Sequence, residues 1–254
     1  MLIDTHCHLD FLDFEADRAA VIARARFAGV EQIVVPAITV DNFQRVIDLC
    51  ASSSCFHPAL GLHPCFSHDT DAALNTLAQA LEVHQVVAIG EIGLDFRPGQ
   101  PAPEMQLPLF EQQLKLACQY ELPVLLHVVK AHDQVLKRLR QYRLVRGGIV
   151  HAFSGSEQQA KEYAKLGFKL GVGGAISYER AHKLRRLAAE LPLEWLLLET
   201  DAPDMPLNGH QGERNEPAQA ARVAELLAEL RGISLAQVAE QTCANARALL
   251  ALEA

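Results

Sequence analysis

Apolar positions along this chain follow two alternating rhythms. Short, nearly continuous runs rich in Val, Ile and Leu predict buried strands at Leu2–His6, Gln32–Ile38, His57–His63, Val86–Glu91, Val124–Val128, Gly148–Ala152, Phe168–Val172 and Trp195–Thr200. Between them, apolar residues recurring every three to four positions predict helices at Phe14–Ala28, Val40–Ala51, Asp71–His84, Glu104–Tyr120, His132–Tyr142, Ser156–Leu166, Glu179–Glu190 and Pro217–Arg231. A ninth helix, over about Ser234–Leu252, closes the chain. Gly29 and Gly167 stand just past helix ends, and Ser156 and Ser234 stand where N-caps belong.

Strict alternation of strand and helix at this length predicts an α/β fold, a (β/α)8 TIM barrel with an extra C-terminal helix. A doubly wound open sheet is the lesser expectation, because no Gly-rich phosphate loop follows the first strand. With no linker or low-complexity tract, residues 1–254 read as a single domain. Two long loops, Arg97–Pro103 and Asp201–Pro217, are expected to roof the end where barrel enzymes place their chemistry.

That end is where the metal-competent side chains fall. His6 and His8 are two apart at the end of the first strand, so they share a face, while Cys7 points into the layer behind. His63, Glu91, His127, His151 and Asp201 each follow an apolar run at the ends of strands three, four, five, six and eight. So many buried imidazoles and carboxylates are costly to desolvate without a shared positive charge. They outnumber what one tetrahedral ion with an open position takes, and they divide between two ions about 3.5–4 Å apart. Strands one and eight are neighbours in a closed barrel, so His6, His8 and Asp201 would hold one ion. His127 and His151, from strands five and six, would hold the other, and Glu91 on strand four would bridge them.

Composition narrows the function. The net charge of -8 excludes a broad basic face that coats nucleic acid, although a metal pair would supply positive charge locally. Six scattered cysteines without a CxxC pair read as reduced thiols. With no signal-peptide pattern and no apolar run of membrane length, a soluble, cytoplasmic protein without membrane contact is expected, as a monomer.

The His-x-His opening, Gly-Leu-His63-Pro, Gly-Glu91-Ile-Gly-Leu-Asp95, His151-Ala-Phe-Ser-Gly-Ser and Leu-Leu-Glu199-Thr-Asp201-Ala-Pro together resemble the TatD family of metal-dependent hydrolases, in the amidohydrolase superfamily. The likeness runs from residue 3 to about Pro217 and includes Arg214-Asn-Glu-Pro217. It implies the same ligands, His6, His8, Glu91, His127, His151 and Asp201, and two divalent ions such as Zn, Mg or Mn. It also implies a phosphodiesterase, a 3′-to-5′ DNase acting on single-stranded nucleic-acid ends or on a small phosphoester. Two departures concern phosphate contacts. Val129 stands where the family often has Arg, and Gln211-Gly-Glu213 replaces Arg-Gly-Lys, leaving Lys130, Arg97 and Arg214 as substitutes.

In the expected reaction, a water between the two ions attacks phosphorus in line. His63 donates to a phosphate oxygen or the leaving group, and Asp201 orients the water. Asp95 and Ser154, expected on mouth loops, are candidate substrate contacts or loop caps. Glu199 reads as a support for the ligands or as a structural carboxylate, and His132 and His210 as solvated or near the mouth. Two rivals remain: a C–N or acyl-ester hydrolase on the same centre, such as an aminoacyl-tRNA deacylase, and a metal-loaded barrel that binds without catalysis.

Overall fold

Eight parallel strands and nine α-helices alternate in the computed structural model, which describes residues 1–253. The elements are β1 (Leu2–Asp4), α1 (Arg18–Phe27), β2 (Val30–Pro36), α2 (Phe43–Ala51), β3 (Phe56–Leu60), α3 (Thr70–Val83), β4 (Ala88–Asp95), α4 (Pro103–Gln119) and β5 (Val124–Val129). They continue with α5 (His132–Tyr142), β6 (Gly148–Val150), α6 (Glu157–Lys165), β7 (Phe168–Val172), α7 (His182–Glu190), β8 (Leu196–Leu198), α8 (Gln219–Arg231) and α9 (Leu235–Leu250). The strands pair in chain order from β1 to β8. The ring then closes on itself: Thr5 N–H donates to Leu198 O at 3.0 Å, Asp201 N–H to His6 O at 2.9 Å, and His8 N–H to Ala202 O at 2.8 Å. This is the TIM barrel with a C-terminal helix that the alternation predicts.

The helices start and stop where local chemistry directs. Ser156 and Ser234 each complete a capping box with the Gln three residues on. α1 begins at Arg18 rather than at Phe14, because Leu12–Phe14 forms a separate 3-10 turn. Several strands are shorter than the apolar runs suggest. β1, β6 and β8 keep only three ladder residues each, and the rest of each run turns into the mouth. β4 is longer: it pairs with β5 up to Asp95 opposite Val129, so Asp95 belongs to the ladder and not to a loop. The two strands come very close here. A Cβ on Gly93, at φ +147°, would stand 1.9 Å from His127 O.

Strand periodicity stacks the site on an apolar floor. Leu125, Ile149 and Leu197 lie two residues before His127, His151 and Glu199, hence on the same inward face. With Ile3, Val34, Ala59 and Ala88 they form one buried cluster, sealed from below by Cys243, Ala246, Leu249 and Leu250 of α9. The closing helix is thus the plug of the barrel. The larger cluster fills the space between strands and outer helices, and Cys7 lies in it, on the side away from His6 and His8. No helix among the described residues is long and apolar enough to cross a membrane.

Candidate metal centre

Glu91 is the point on which the mouth converges. It is buried, and its two oxygens face two different sets of nitrogens. Oε2 lies 3.2 Å from His6 Nε2 and 3.5 Å from His8 Nε2, and these two nitrogens are 3.6 and 3.7 Å from Asp201 Oδ1. Oε1 lies 3.1 Å from His127 Nδ1, 3.4 Å from His151 Nε2 and 3.4 Å from His63 Nε2. Ligand atoms at about 2.0–2.1 Å from a tetrahedral ion stand about 3.3–3.4 Å from one another. The spacings here, 3.1 to 3.7 Å, are therefore those of donor sets that fit around an ion. Three groups, His6–His8–Asp201, His6–Glu91–His151 and His63–Cys65–His127, bring their ligand atoms within 4.8 Å of one another.

The outer contacts of the rings match this fit. His8 Nδ1 is 3.2 Å from Pro36 O, a carbonyl that only accepts, so the ring hydrogen is on Nδ1 and the Nε2 lone pair faces the centre. His127 Nε2 is 2.9 Å from Asp95 Oδ2, which assigns its hydrogen to Nε2 and frees Nδ1. His151 Nδ1 faces Glu199 Oε1 at 3.7 Å. Glu199 also accepts from Ala152 N–H at 2.5 Å. Room for this carboxylate exists because residue 171 is glycine; a Cβ there would lie 2.1 Å from Glu199 Oε2.

His63 is oriented the opposite way. Its Nδ1 accepts the backbone N–H of Cys65 at 3.1 Å, so in the neutral ring the hydrogen is on Nε2 and points inward. Burial lowers the affinity of this ring for a second proton. Although His63 is as near to Glu91 as the ligand candidates are, it presents a donor where they present lone pairs.

Electrostatics make the cluster costly without cations. Burial and the neighbouring His151 push His6 down to about 3, and burial pushes Asp201 up to about 6. His151 rises to about 9, since Asp201 and Glu91 outweigh its burial. Glu91 stays well below the usual carboxylate range, because the surrounding imidazoles overcome its desolvation. Two carboxylates and four imidazoles at these spacings make a donor set suited to a metal ion.

The remaining predicted residues divide. Ser154 lines the cavity above Glu91, a space of about 610 Å³ bounded also by Phe11, Phe66, Arg97 and Met205. Asp95 does not reach that cavity. It is fully buried and holds His127, Arg97 and the Cys65 thiol, which keep it well below the ordinary carboxylate range despite its burial. His132 packs on Tyr163 and Phe153 in the core, and His210 pairs with Glu213 in solvent at 2.7 Å, so neither lines the cavity. Arg214 is bound to Asp17 and Glu216 over the ring of Phe14. Two buried glutamines of α4 have no counterpart in the sequence reading. Gln106 bonds both backbone groups of Asp95, at 2.7 Å each, and Gln113 bonds both of Leu62, at 2.8 and 3.0 Å, just before His63. Two buried amides on a helix face facing the sheet are the only trace they leave in sequence.

Comparisons with known proteins agree with this geometry. Residues 3–251 match the family model described as TatD related DNase. A metal-dependent hydrolase of Escherichia coli K12, YjjV, is 50% identical over 96% of this chain and 95% of that protein. Its crystal structure superposes with a TM-score of 0.96 at 49% identity, covering 99% of this chain and 98% of that one. The 3′-5′ ssDNA/RNA exonuclease TatD of Klebsiella pneumoniae is 33% identical over 99% of this chain and 98% of its own length. The chain belongs to the TatD-related DNase family of metal-dependent hydrolases.

Proposed function

We propose that this chain hydrolyses phosphodiesters as a two-metal, 3′-to-5′ deoxyribonuclease acting on single-stranded ends, in the cytoplasm and as a one-domain monomer. The observation that carries this reading is the division of Glu91: one oxygen faces His6, His8 and Asp201, the other His127 and His151. These residues would hold two divalent ions, of the Zn, Mg or Mn type, with Glu91 between them. When bound, such ions supply Lewis acidity, neutralising phosphoryl charge and making water a nucleophile near neutral pH.

The chain's own groups do the rest. Asp201, whose Oδ1 lies 3.6 Å from His6 Nε2, would accept a hydrogen bond from the attacking water as well as ligate. His63 points its Nε2–H inward, to the side of a phosphate oxygen or the departing alkoxide. Hydrolysis forms one P–O bond to water oxygen and breaks the P–O bond to the leaving group, and the proton released by water ends on that leaving oxygen. The hydrogen bond to Asp95 would keep His127 in ligating orientation, Glu199, 3.7 Å from His151 Nδ1, would favour the same for His151 by its charge, and Ser154 at the rim would contact the substrate.

The test is metal analysis of protein purified without added ions, followed by parallel assays on a single-stranded oligonucleotide, a simple phosphodiester and an acyl ester. The expected result is two divalent ions per chain and stepwise loss of nucleotides from the 3′ end. Turnover of the acyl ester alone would overturn the phosphodiester reading.

A further inference from the structure

The cavity above Glu91 is walled by Phe11, Ile38, Phe66, Val128, Val129 and Met205. Among the described residues lining it, Arg97 is the one Lys or Arg, and its guanidinium is committed to Asp95 through contacts of 2.5 to 3.0 Å. Arg97 is thus held back by Asp95, and the next cation, Lys183, stands at the rim, where its Nζ donates to Ser154 O at 2.7 Å. Two aromatic rings instead flank the imidazoles. Phe11 lies nearly parallel to His8, with centroids 4.6 Å apart, and Phe66 meets His63 edge-on at 5.6 Å. Phe66 is 42% exposed although it sits in a concave site. It is also the shared wall of an adjoining cleft of about 230 Å³, which Pro64, Pro101, Met105 and Leu109 line without a Lys, Arg, Asp or Glu.

We infer that this site recognises one phosphodiester bearing one planar apolar group, a nucleobase or an aryl ring, which the Phe66 cleft takes, and that it reads no phosphate beyond the scissile one. This deepens the phosphodiesterase reading above and rests on it. Two physical arguments converge. Proteins that track a single strand align cations along successive phosphates, each adding to salt-dependent affinity. Here the lining past the centre is apolar or uncharged apart from Arg97 and Asp204, and the chain's net charge of -8 repels a polyanion at long range. A flat ring against an exposed phenylalanine is, by contrast, a strong sequence-independent contact.

The test compares methyl p-nitrophenyl phosphate with phenyl p-nitrophenyl phosphate, which share a leaving group and differ in the retained substituent. In metal-loaded protein, Phe66→Ala should raise KM for the phenyl ester about tenfold relative to KM for the methyl ester. Phe66→Leu, which keeps the bulk but not the plane, should fall between. Calorimetric titration with methyl(phenyl)phosphinate, whose two P–C bonds leave no ester to hydrolyse, should show the same relative loss against dimethylphosphinate, giving a readout independent of catalysis. For oligothymidylates of two to ten nucleotides, kcat/KM should stay level with length, and its salt dependence should match about one phosphate. A kcat/KM that climbs with length, a salt slope of several phosphates, or equal losses on both esters would overturn the inference while leaving the phosphodiesterase reading intact. No turnover of any phosphoester by metal-loaded protein would overturn both.

Discussion

If two ions are held as proposed, replacing Asp95 with Asn should loosen one of them and spare the other. Asp95 Oδ2 takes the Nε2–H of His127 at 2.9 Å in a fully buried setting, and His127 turns its other nitrogen to Glu91 Oε1 at 3.1 Å. A hydrogen bond to a charged group contributes about 1.5–3 kcal/mol and a neutral one about 0.5–1.5, so the amide loses about 1–1.5 kcal/mol. That is about tenfold in the affinity of the ion held by His127 and His151, the lower end of what loss of a ligand's outer partner costs. Asp95→Ala, which also leaves Arg97 and the ring N–H unpaired, should approach a hundredfold. His6, His8 and Asp201 are oriented by other contacts, Pro36 O for His8 and backbone bonds across the β1–β8 seam, so their ion should not move. Calorimetric titration of chelator-stripped protein with Zn or Mn resolves two affinities, and only one should fall. If both fell equally, or neither, Asp95 would not act through His127, and the division of Glu91 between two ions would lose its main support.

Three further outcomes are expected. Glu91→Gln should lower turnover at least about a hundredfold and reduce bound metal below two ions, with the circular dichroism unchanged; near-normal hydrolysis would contradict the bridge. His132 bears on acid stability: burial pushes this core ring down to about 4 from 6.5. The unfolded chain therefore binds more protons between those values, and stability falls as pH drops through that window, by about 3 kcal/mol in full. Denaturant titrations of His132→Gln between pH 4 and 7 should show a correspondingly flatter profile, and an unaltered profile would refute the assignment. Gly171→Ala should force the Glu199 carboxylate from its place, since the new Cβ would meet it at 2.1 Å, costing about 1–3 kcal/mol in thermal or chemical melts; an unchanged midpoint would show that the carboxylate has room to move.

Sequence alone carried the architecture, because a parallel barrel writes each strand as an apolar run and each helix as a 3.6-residue repeat. It also singled out His6, His8, Glu91, His127, His151 and Asp201, which all interrupt apolar runs at one end of the strands and which the fold gathers around Glu91. Even the pairing of first and eighth strands followed from closure, an expectation the Asp201–His6 backbone bond bears out. What the pattern could not carry is direction. Whether His63 presents a lone pair or a hydrogen depends on the backbone N–H of Cys65, and whether Asp95 faces substrate or His127 depends on β4 running four residues past Glu91. Gln106, Gln113 and the space at Gly171 are contacts between elements far apart in sequence, set by packing distances of a few ångströms. Periodicity states which face a side chain is on. Only the folded barrel decides which neighbour that face meets, because hydrogen-bond direction and close approach are properties of pairs and not of positions.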